Sequence, residues 1–355
     1  MPSTRESLKL LPMGCSNRRA AVIESLAIIS IFARWRTGLN TLLDHNTTVL
    51  ENCDETSPYL LDNEGAYRVW RRRKLALRQQ NSPSRVFMLD ARGMLPVEQL
   101  RAAQRQIEAY NFIVFEAAHG EFGKPEFVAL NRQFGLSDLD HNLGADDDRV
   151  TALHVVEASD RRAQYIPYSN RAMNWHTDGY YNPHDRRINA FSLFCVHQAA
   201  RGGGNYLFDH EMMYLLIRDQ SPELLSALMQ TDLMRIPANL QGNRVIRGEE
   251  TGPVFSVQTQ NCSLNMRYTS RPHNIVWKSD QRSQRALNLV REILMDSNET
   301  IEMRLGDRQG IVCNNILHGR QAFHDDPGYP PRLIYRARYY DPINLERAMA
   351  REPAA

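Results

Sequence analysis

The stretch GDRQGIVCNNILHGRQAFHDDPGYPPRLIYRARYYDP, Gly306 to Pro342, decides how this chain is read. GDRQG forms a turn. Beyond it Val312, Asn314, Ile316 and His318 alternate onto one face of a strand, with the histidine at its end. Arg332 then opens another strand, on which Arg332, Ile334, Arg336 and Arg338 share a face. Guanidinium groups without partners are poor core material, because burying an uncompensated charge is costly. A dianionic ligand accounts for three of them on one strand face.

A partner for His318 lies upstream in NWHTDGYY, Asn174 to Tyr181. In an extended segment residues i and i+2 point the same way, so His176 and Asp178 share a face while Thr177 turns away. With a histidine from a distant strand they make a set of two imidazoles and one carboxylate. That set leaves three coordination positions open and marks non-haem Fe(II) oxygenases. His-x-Asp alone is weak, since the chain holds a second copy, His324 to Asp326, in the turn-like HDDPGYPP. The third ligand gives the first copy its meaning.

The bulk numbers are those of an ordinary soluble globular protein. At 355 residues the chain can bury a large core, and a net charge of +2 gives no support for a nucleic acid or membrane partner. The five cysteines are scattered, odd in number and without a Cys-x-x-Cys pair, which argues against a zinc site or a disulfide framework and for a reducing cytoplasm. The apolar run AAVIESLAIISIFARW, Ala20 to Trp35, is interrupted by Glu24 and too short to span a bilayer. No GxGxxG or phosphate-loop motif is present.

Along the chain, residues 1–55 read as an N-terminal extension, helical or poorly ordered, and 56–355 as a single domain. Helices are expected in AYRVWRRRKLALRQQ, PVEQLRAAQRQIEAYNF, DHEMMYLLIRDQSPELLSALM and QRSQRALNLVREILMD. Short strands are expected in NFIVFEAA, VTALHVVEA, INAFSLFCVHQ, GPVFSVQ, IEMRL, GIVCNNILH and RLIYRARYY. Many short strands with inserted helices predict a mostly β protein with flanking helices, a sandwich or jelly roll and not alternating βαβ units.

NWHTD followed by HGRQAF and RLIYR resembles the Fe(II)/2-oxoglutarate dioxygenases of the taurine dioxygenase, TfdA and γ-butyrobetaine hydroxylase family, from about Phe112 to Pro342. The resemblance implies a double-stranded β-helix with Fe(II) held by His176, Asp178 and His318. It implies Arg332 on the distal carboxylate of 2-oxoglutarate and Arg336 on an acidic group of the substrate. A second contact to 2-oxoglutarate falls in RGGGNYLFD, on Tyr206 or Asn205. Ala172 stands where taurine dioxygenase has a substrate-binding asparagine, which sets taurine itself aside.

The implied reaction consumes O2 and 2-oxoglutarate, releases succinate and CO2, and oxidises a C–H bond. The carboxylate at 178 leaves no vacancy for chloride, against a halogenase. Fe(II), Asp178, 2-oxoglutarate and Arg332 balance in charge and leave Arg336 over. The expected substrate is therefore a small molecule with a carboxylate, sulfonate or phosphonate. Pairing of Arg336 with a protein carboxylate is the even alternative. Tyr180, Tyr181 and Tyr168 are candidates for the substrate mouth, Trp175 for core packing, and Arg186 and Arg187 for a solvated loop. His210 reads as a cap or surface residue. A peptide hydroxylase, an inactive jelly-roll binding module and a metal hydrolase are the competing readings, and a homo-oligomer stays open.

Overall fold

The computed structural model describes residues 57–345 apart from 119, 141–147, 243, 259–261, 272 and 274. The expected extension over 1–55 lies outside them. Ten strands form the two main sheets: β1 (Val86–Met88), β2 (Phe112–Glu116), β3 (Thr151–Leu153), β4 (Met173–His176), β5 (Ala190–His197), β6 (Asn205–Phe208), β7 (Ile301–Met303), β8 (Gln309–Asn314), β9 (Leu317–Arg320) and β10 (Leu333–Tyr339). The larger sheet runs β1-β2-β8-β5-β10-β3 and the smaller β7-β6-β9-β4. Apart from the parallel β1–β2 pair, every pairing in them is antiparallel.

Period-two alternation sorts the side chains. Phe112 and Val114 of β2, Phe191 and Cys195 of β5, Ile311 and Cys313 of β8 and Ile334 of β10 meet Leu207 of β6 in one cluster between the sheets. The other face of the large sheet, with Ile113, Phe115, Phe194, Val312 and Tyr339, is covered by Leu100 and Ile107 of one helix and Phe127 and Leu130 of the next; in chain order the helices are α1 (Glu64–Gln80), α2 (Val97–Tyr110) and α3 (Lys124–Gln133), and the covering pair is α2 and α3. The outer face of the small sheet, with Phe208 and Leu317, packs on α4 (His210–Gln220), α5 (Pro222–Leu228) and α6 (Gln281–Asp296). Each such buried Phe, Leu or Ile contributes roughly 1.5–3 kcal/mol through loss of apolar contact with water.

The helices start where the sequence supplies an acceptor for free N–H groups. Asn63 caps α1 through Ala66 N at 3.1 Å, and Asp280 caps α6 through Ser283 N at 3.0 Å. α1 docks through Lys74, whose Nζ lies 2.7 Å from Asp209 and 2.5 Å from Glu211 with all but a sliver of its side chain buried. Among the described residues no helix is long and apolar enough to cross a membrane, and Cys195, Cys262 and Cys313 are unpaired.

One expectation needs correction. GIVCNNILH is not a single strand: β8 belongs to the large sheet and β9 to the small one, and the chain turns a corner at Asn315–Ile316. Asparagine is a poor strand former, and the Asn315 side chain is spent on backbone groups of another segment instead of a ladder. The corner carries the chain from one sheet to the other and delivers His318.

Candidate metal centre

β4 and β9 pair so that His176 stands directly opposite His318. Trp175 turns to the helix-packed face and His176 to the face between the sheets, as alternation requires. The imidazole rings lie 4.3 Å apart, centroid to centroid. Asp178 follows on the loop that leaves β4, and Nε2 of His176 is 4.0 Å from its Oδ1. One ligand atom from each of His176, Asp178 and His318 falls within 4.8 Å of the others.

The ring tautomers are set by the backbone. Nδ1 of His176 is 2.9 Å from the Asn174 carbonyl, and Nδ1 of His318 is 2.9 Å from that of Ile316. A carbonyl only accepts, so each Nδ1 carries the proton and each Nε2 offers a lone pair. Burial, with His318 adding to it, pushes the His176 imidazole down to about 3. Burial also lowers His318, so both rings are neutral near pH 7. Burial alone would raise the Asp178 carboxyl, but Arg336 and Arg338 outweigh it and hold the group below the usual carboxylate range. Its Oδ2 is buried with no hydrogen-bond partner, an orphan that a metal ion would satisfy. Two neutral imidazoles and a carboxylate are the donor set that suits Fe(II).

Asp178 is fixed through its main chain. Its N–H donates to Oδ1 of Asn315 at 2.8 Å, while Nδ2 of Asn315 donates to the carbonyls of Asp178 (2.7 Å) and Ile188 (2.8 Å). Gly179 makes the turn that follows, at φ +62°, where a Cβ would lie 2.5 Å from Ile188 Cγ1. The large sheet faces the cluster with Phe191, whose ring is 4.4 Å from that of His318, and with two arginines. Arg336 Nη1 is 3.9 Å and Arg338 Nη1 3.8 Å from Asp178 Oδ1. Arg338 is also paired with Asp140 and bonded to Tyr181 Oη at 3.2 Å, whereas Nε of Arg336 is buried without a partner.

Arg332 lies 6% exposed and forms no ion pair among the described residues. It lines a cavity with Asn205, Gly203, Arg304, Leu305 and Cys195. Its guanidinium stacks 4.9 Å from the centre of the Phe323 ring, and Arg320 stacks on the same ring at 4.9 Å. Arg320 donates to the carbonyls of Ser169 and Arg171 at 2.8 and 2.7 Å. Burial, then Arg332, pushes it down to about 9.

The two candidates from RGGGNYLFD part company. Asn205 lines the cavity beside Arg332, while Tyr206 points out of the other face of β6, packs 4.5 Å from Trp175 and donates its hydroxyl to the Met173 carbonyl. Of the tyrosines near the centre, Tyr180 and Tyr181 are half-buried and meet edge to face at 5.2 Å, and Tyr168 is buried in the cluster between the sheets. The second His-x-Asp is an exposed pair, His324 Nε2 to Asp326 at 3.2 Å.

Two expectations, one for a loop and one for a helix, fail. Arg186 is exposed and donates to Tyr340 Oη at 3.0 Å, but Arg187 is 8% exposed, not solvated. His210 is neither cap nor surface: Asp209 caps α4, and His210 is buried with Nε2 3.2 Å from the Leu264 carbonyl. Sequence reasoning passed over Asn315, Phe191, Arg304 and Arg267. The doubled Asn314–Asn315 inside an apolar run was the available signal for the first, and nothing local distinguishes the others.

Residues 81–338 match the model of the family described as taurine catabolism dioxygenase TauD, TfdA family. A uridine-5'-phosphate dioxygenase of a Streptomyces species is 28% identical over 244 residues, 65% of this chain and 86% of that protein. One from an Amycolatopsis species is 32% identical over 174 residues, 46% of this chain and 60% of that protein. The crystal structure of the non-heme iron oxygenase OrfP with Fe, succinate and (3S)-hydroxy-L-Arg superposes with a TM-score of 0.51 at 14% identity, over 85% of this chain and 95% of that one, which is a likeness of fold. The match to the family model covers most of the chain: it belongs to the TauD/TfdA family, and is a dioxygenase with Fe(II) and 2-oxoglutarate as its cofactors.

Proposed function

We propose that the chain is a double-stranded β-helix enzyme that oxidises an unactivated C–H bond of a small anionic molecule, with a nucleoside 5'-monophosphate as the leading substrate class. In this reading 56–355 is one domain behind an extension over 1–55. The observation that carries the reading is the convergence of His176, Asp178 and His318 within 4.8 Å, with Asp178 Oδ2 buried and unpartnered. The nucleotide class is supported by the two uridine-5'-phosphate dioxygenases among the relatives.

Iron with 2-oxoglutarate and O2 supplies an oxidant able to take hydrogen from such a bond, with release of succinate and CO2. The chain's own residues supply position and exclusion. His176, Asp178 and His318 offer three donors on one side, and Asn315 holds the middle one still. Arg332, buried without a carboxylate partner, takes the distal carboxylate of 2-oxoglutarate as a fork, with Asn205 beside it as the second contact. Phe191 covers the His318 ring and keeps water from that side. Arg338 is neutralised by Asp140. Arg336 stands against Asp178, holds that carboxylate charged, and keeps its free Nε for a substrate acceptor. Tyr180 and Tyr181 flank the mouth.

The test is an anaerobic titration of metal-stripped protein with Fe(II) and then 2-oxoglutarate, following the visible iron-to-ketoacid charge-transfer band. The band is expected in the wild type and absent in His318→Ala. Well-folded wild-type protein without a band overturns the assignment.

A further inference from the structure

The loop that leaves Asp178 is flanked by two buried guanidinium groups that no step above uses. Arg267 is 4% exposed. Its Nε and Nη2 donate to the Tyr180 carbonyl at 3.1 and 2.8 Å, and Nη2 also reaches the Asn182 carbonyl at 3.3 Å. Its Nη1 is buried with no partner and lies against Gly252, where a Cβ would come within 2.5 Å of it. Arg187 follows the short 3-10 turn His184–Arg186 and directly precedes Ile188, whose carbonyl is tied through Asn315 to Asp178. Arg187 Nε and Nη2 are both buried without a partner, and neither arginine forms an ion pair among the described residues.

The pair is cationic, and Arg247 adds to the positive field around Arg267. Burial, with Arg267 adding to it, pushes Arg187 down to about 10, which keeps it charged near pH 7. Partial desolvation and then the same two arginines push the neighbouring His184, on the exposed turn, down to about 4, so it is neutral near pH 7 and adds no charge. The carboxylates that act on the group are Glu250, on Arg267, and Asp185, on His184, and neither is within ion-pair distance of a guanidinium. Folding holds two positive charges out of water here with donors unspent, which is costly unless an anion arrives to use them.

The geometry points to Arg187 and Arg267 as an anion subsite beside the metal centre that grips the phosphate group of the substrate. A phosphate has the acceptors to take the free Nη1 of Arg267 and the Nε–Nη2 edge of Arg187 together. The identity of the anion rests on the nucleotide reading given above; the existence of the subsite does not.

The probe pair is uridine 5'-phosphate and inorganic phosphate, measured by calorimetry on full-length protein loaded anaerobically with Mn(II) and 2-oxoglutarate. Arg187→Met is the informative variant, because Arg267 also holds the loop carbonyls. Losing two charge-assisted hydrogen bonds should weaken uridine 5'-phosphate by about a hundredfold to ten-thousandfold, while Mn(II) and 2-oxoglutarate bind as before. In thermal unfolding, Arg187→Met should match or exceed the wild type without phosphate, and phosphate should stabilise only the wild type. Wild type that binds inorganic phosphate through Arg187 but not uridine 5'-phosphate would keep the subsite and remove the nucleotide reading. Wild type that binds uridine 5'-phosphate with an affinity unchanged in Arg187→Met, or that binds neither probe, would overturn the subsite.

Discussion

Replacing Asn315 by alanine tests how the carboxylate of the metal centre is held. Asn315 is buried and its side chain makes three hydrogen bonds, at 2.8, 2.7 and 2.8 Å, all to the main chain of Asp178 and Ile188. At about 1 kcal/mol net for each, their loss costs about 3 kcal/mol, and the N–H and two carbonyls left without partners raise this toward roughly 5 kcal/mol. With a urea slope of about 3 kcal/mol/M for a chain of this size, the unfolding midpoint falls by about 1 M or more. The damage is also local, because the loop that aims Asp178 loses its anchor; a 10- to 100-fold loss of metal affinity is the usual scale, roughly, for such a supporting residue. Urea unfolding of the metal-free protein gives the first number and Mn(II) binding under anaerobic conditions the second. Asn315→Asp keeps the acceptor for Asp178 N but turns both donors into a carboxylate facing carbonyls, and should do no better than alanine. A midpoint within about 0.3 M of wild type together with wild-type metal affinity would show that other contacts fix the loop, and the reasoning would be wrong.

Other outcomes follow from features already described. Arg332→Ala should weaken 2-oxoglutarate by about tenfold to hundredfold per charge-assisted bond lost, read from the charge-transfer band, with Fe(II) affinity retained. Lys74→Met leaves Asp209 and Glu211 buried side by side with only Arg78, 3.4 Å from Asp209, to oppose their charge, and should cost about 3 kcal/mol at pH 7. In the wild type, burial would raise Asp209, but Lys74 and Arg78 outweigh it and hold it down to about 2. A carboxyl depressed below its ordinary value stabilises the fold above pH ~4, and that contribution is lost as pH falls toward about 2. In Lys74→Met the sign reverses, because the native state now binds the extra proton, so thermal unfolding should show the deficit shrinking from pH 7 to pH 5. Gly310→Ala drives a Cβ to 2.3 Å from Phe115 Cζ and 2.5 Å from the Leu193 carbonyl. Neither can retreat within the large sheet, so a loss of about 3 kcal/mol or more in urea unfolding is expected.

Much of the site was legible because its rules are local. The i, i+2 rule put His176 and Asp178 on one side, and the alternation of RLIYRARYY put Arg336 and Arg338 on the face that approaches Asp178. The readings that failed needed partners far away in the chain. Whether GIVCNNILH runs straight or turns depends on which strands flank it, and these come from β2, β5, β6 and β4. The choice between Asn205 and Tyr206 is one of register: β6 pairs Leu207 with His318, which sends Asn205 to the same side and Tyr206 to the other. Arg187 looked like a loop residue beside Arg186 because burial of a charge is written in the surrounding fold, not in its neighbours in sequence.

Asp178, the proposed carboxylate ligand, and the asparagine that anchors it are 137 residues apart in the chain. The imidazoles they accompany face each other only once β4 and β9 have paired. During synthesis the ribosome therefore releases His-x-Asp long before the other half of the centre exists, and an ion meeting that fragment finds two donors and no cradle. Closing so long a loop is slow relative to local structure formation. If the three residues proposed here hold the iron, metal capture marks the end of assembly, and a chain cut before β9 should ignore iron however well its earlier helices have formed.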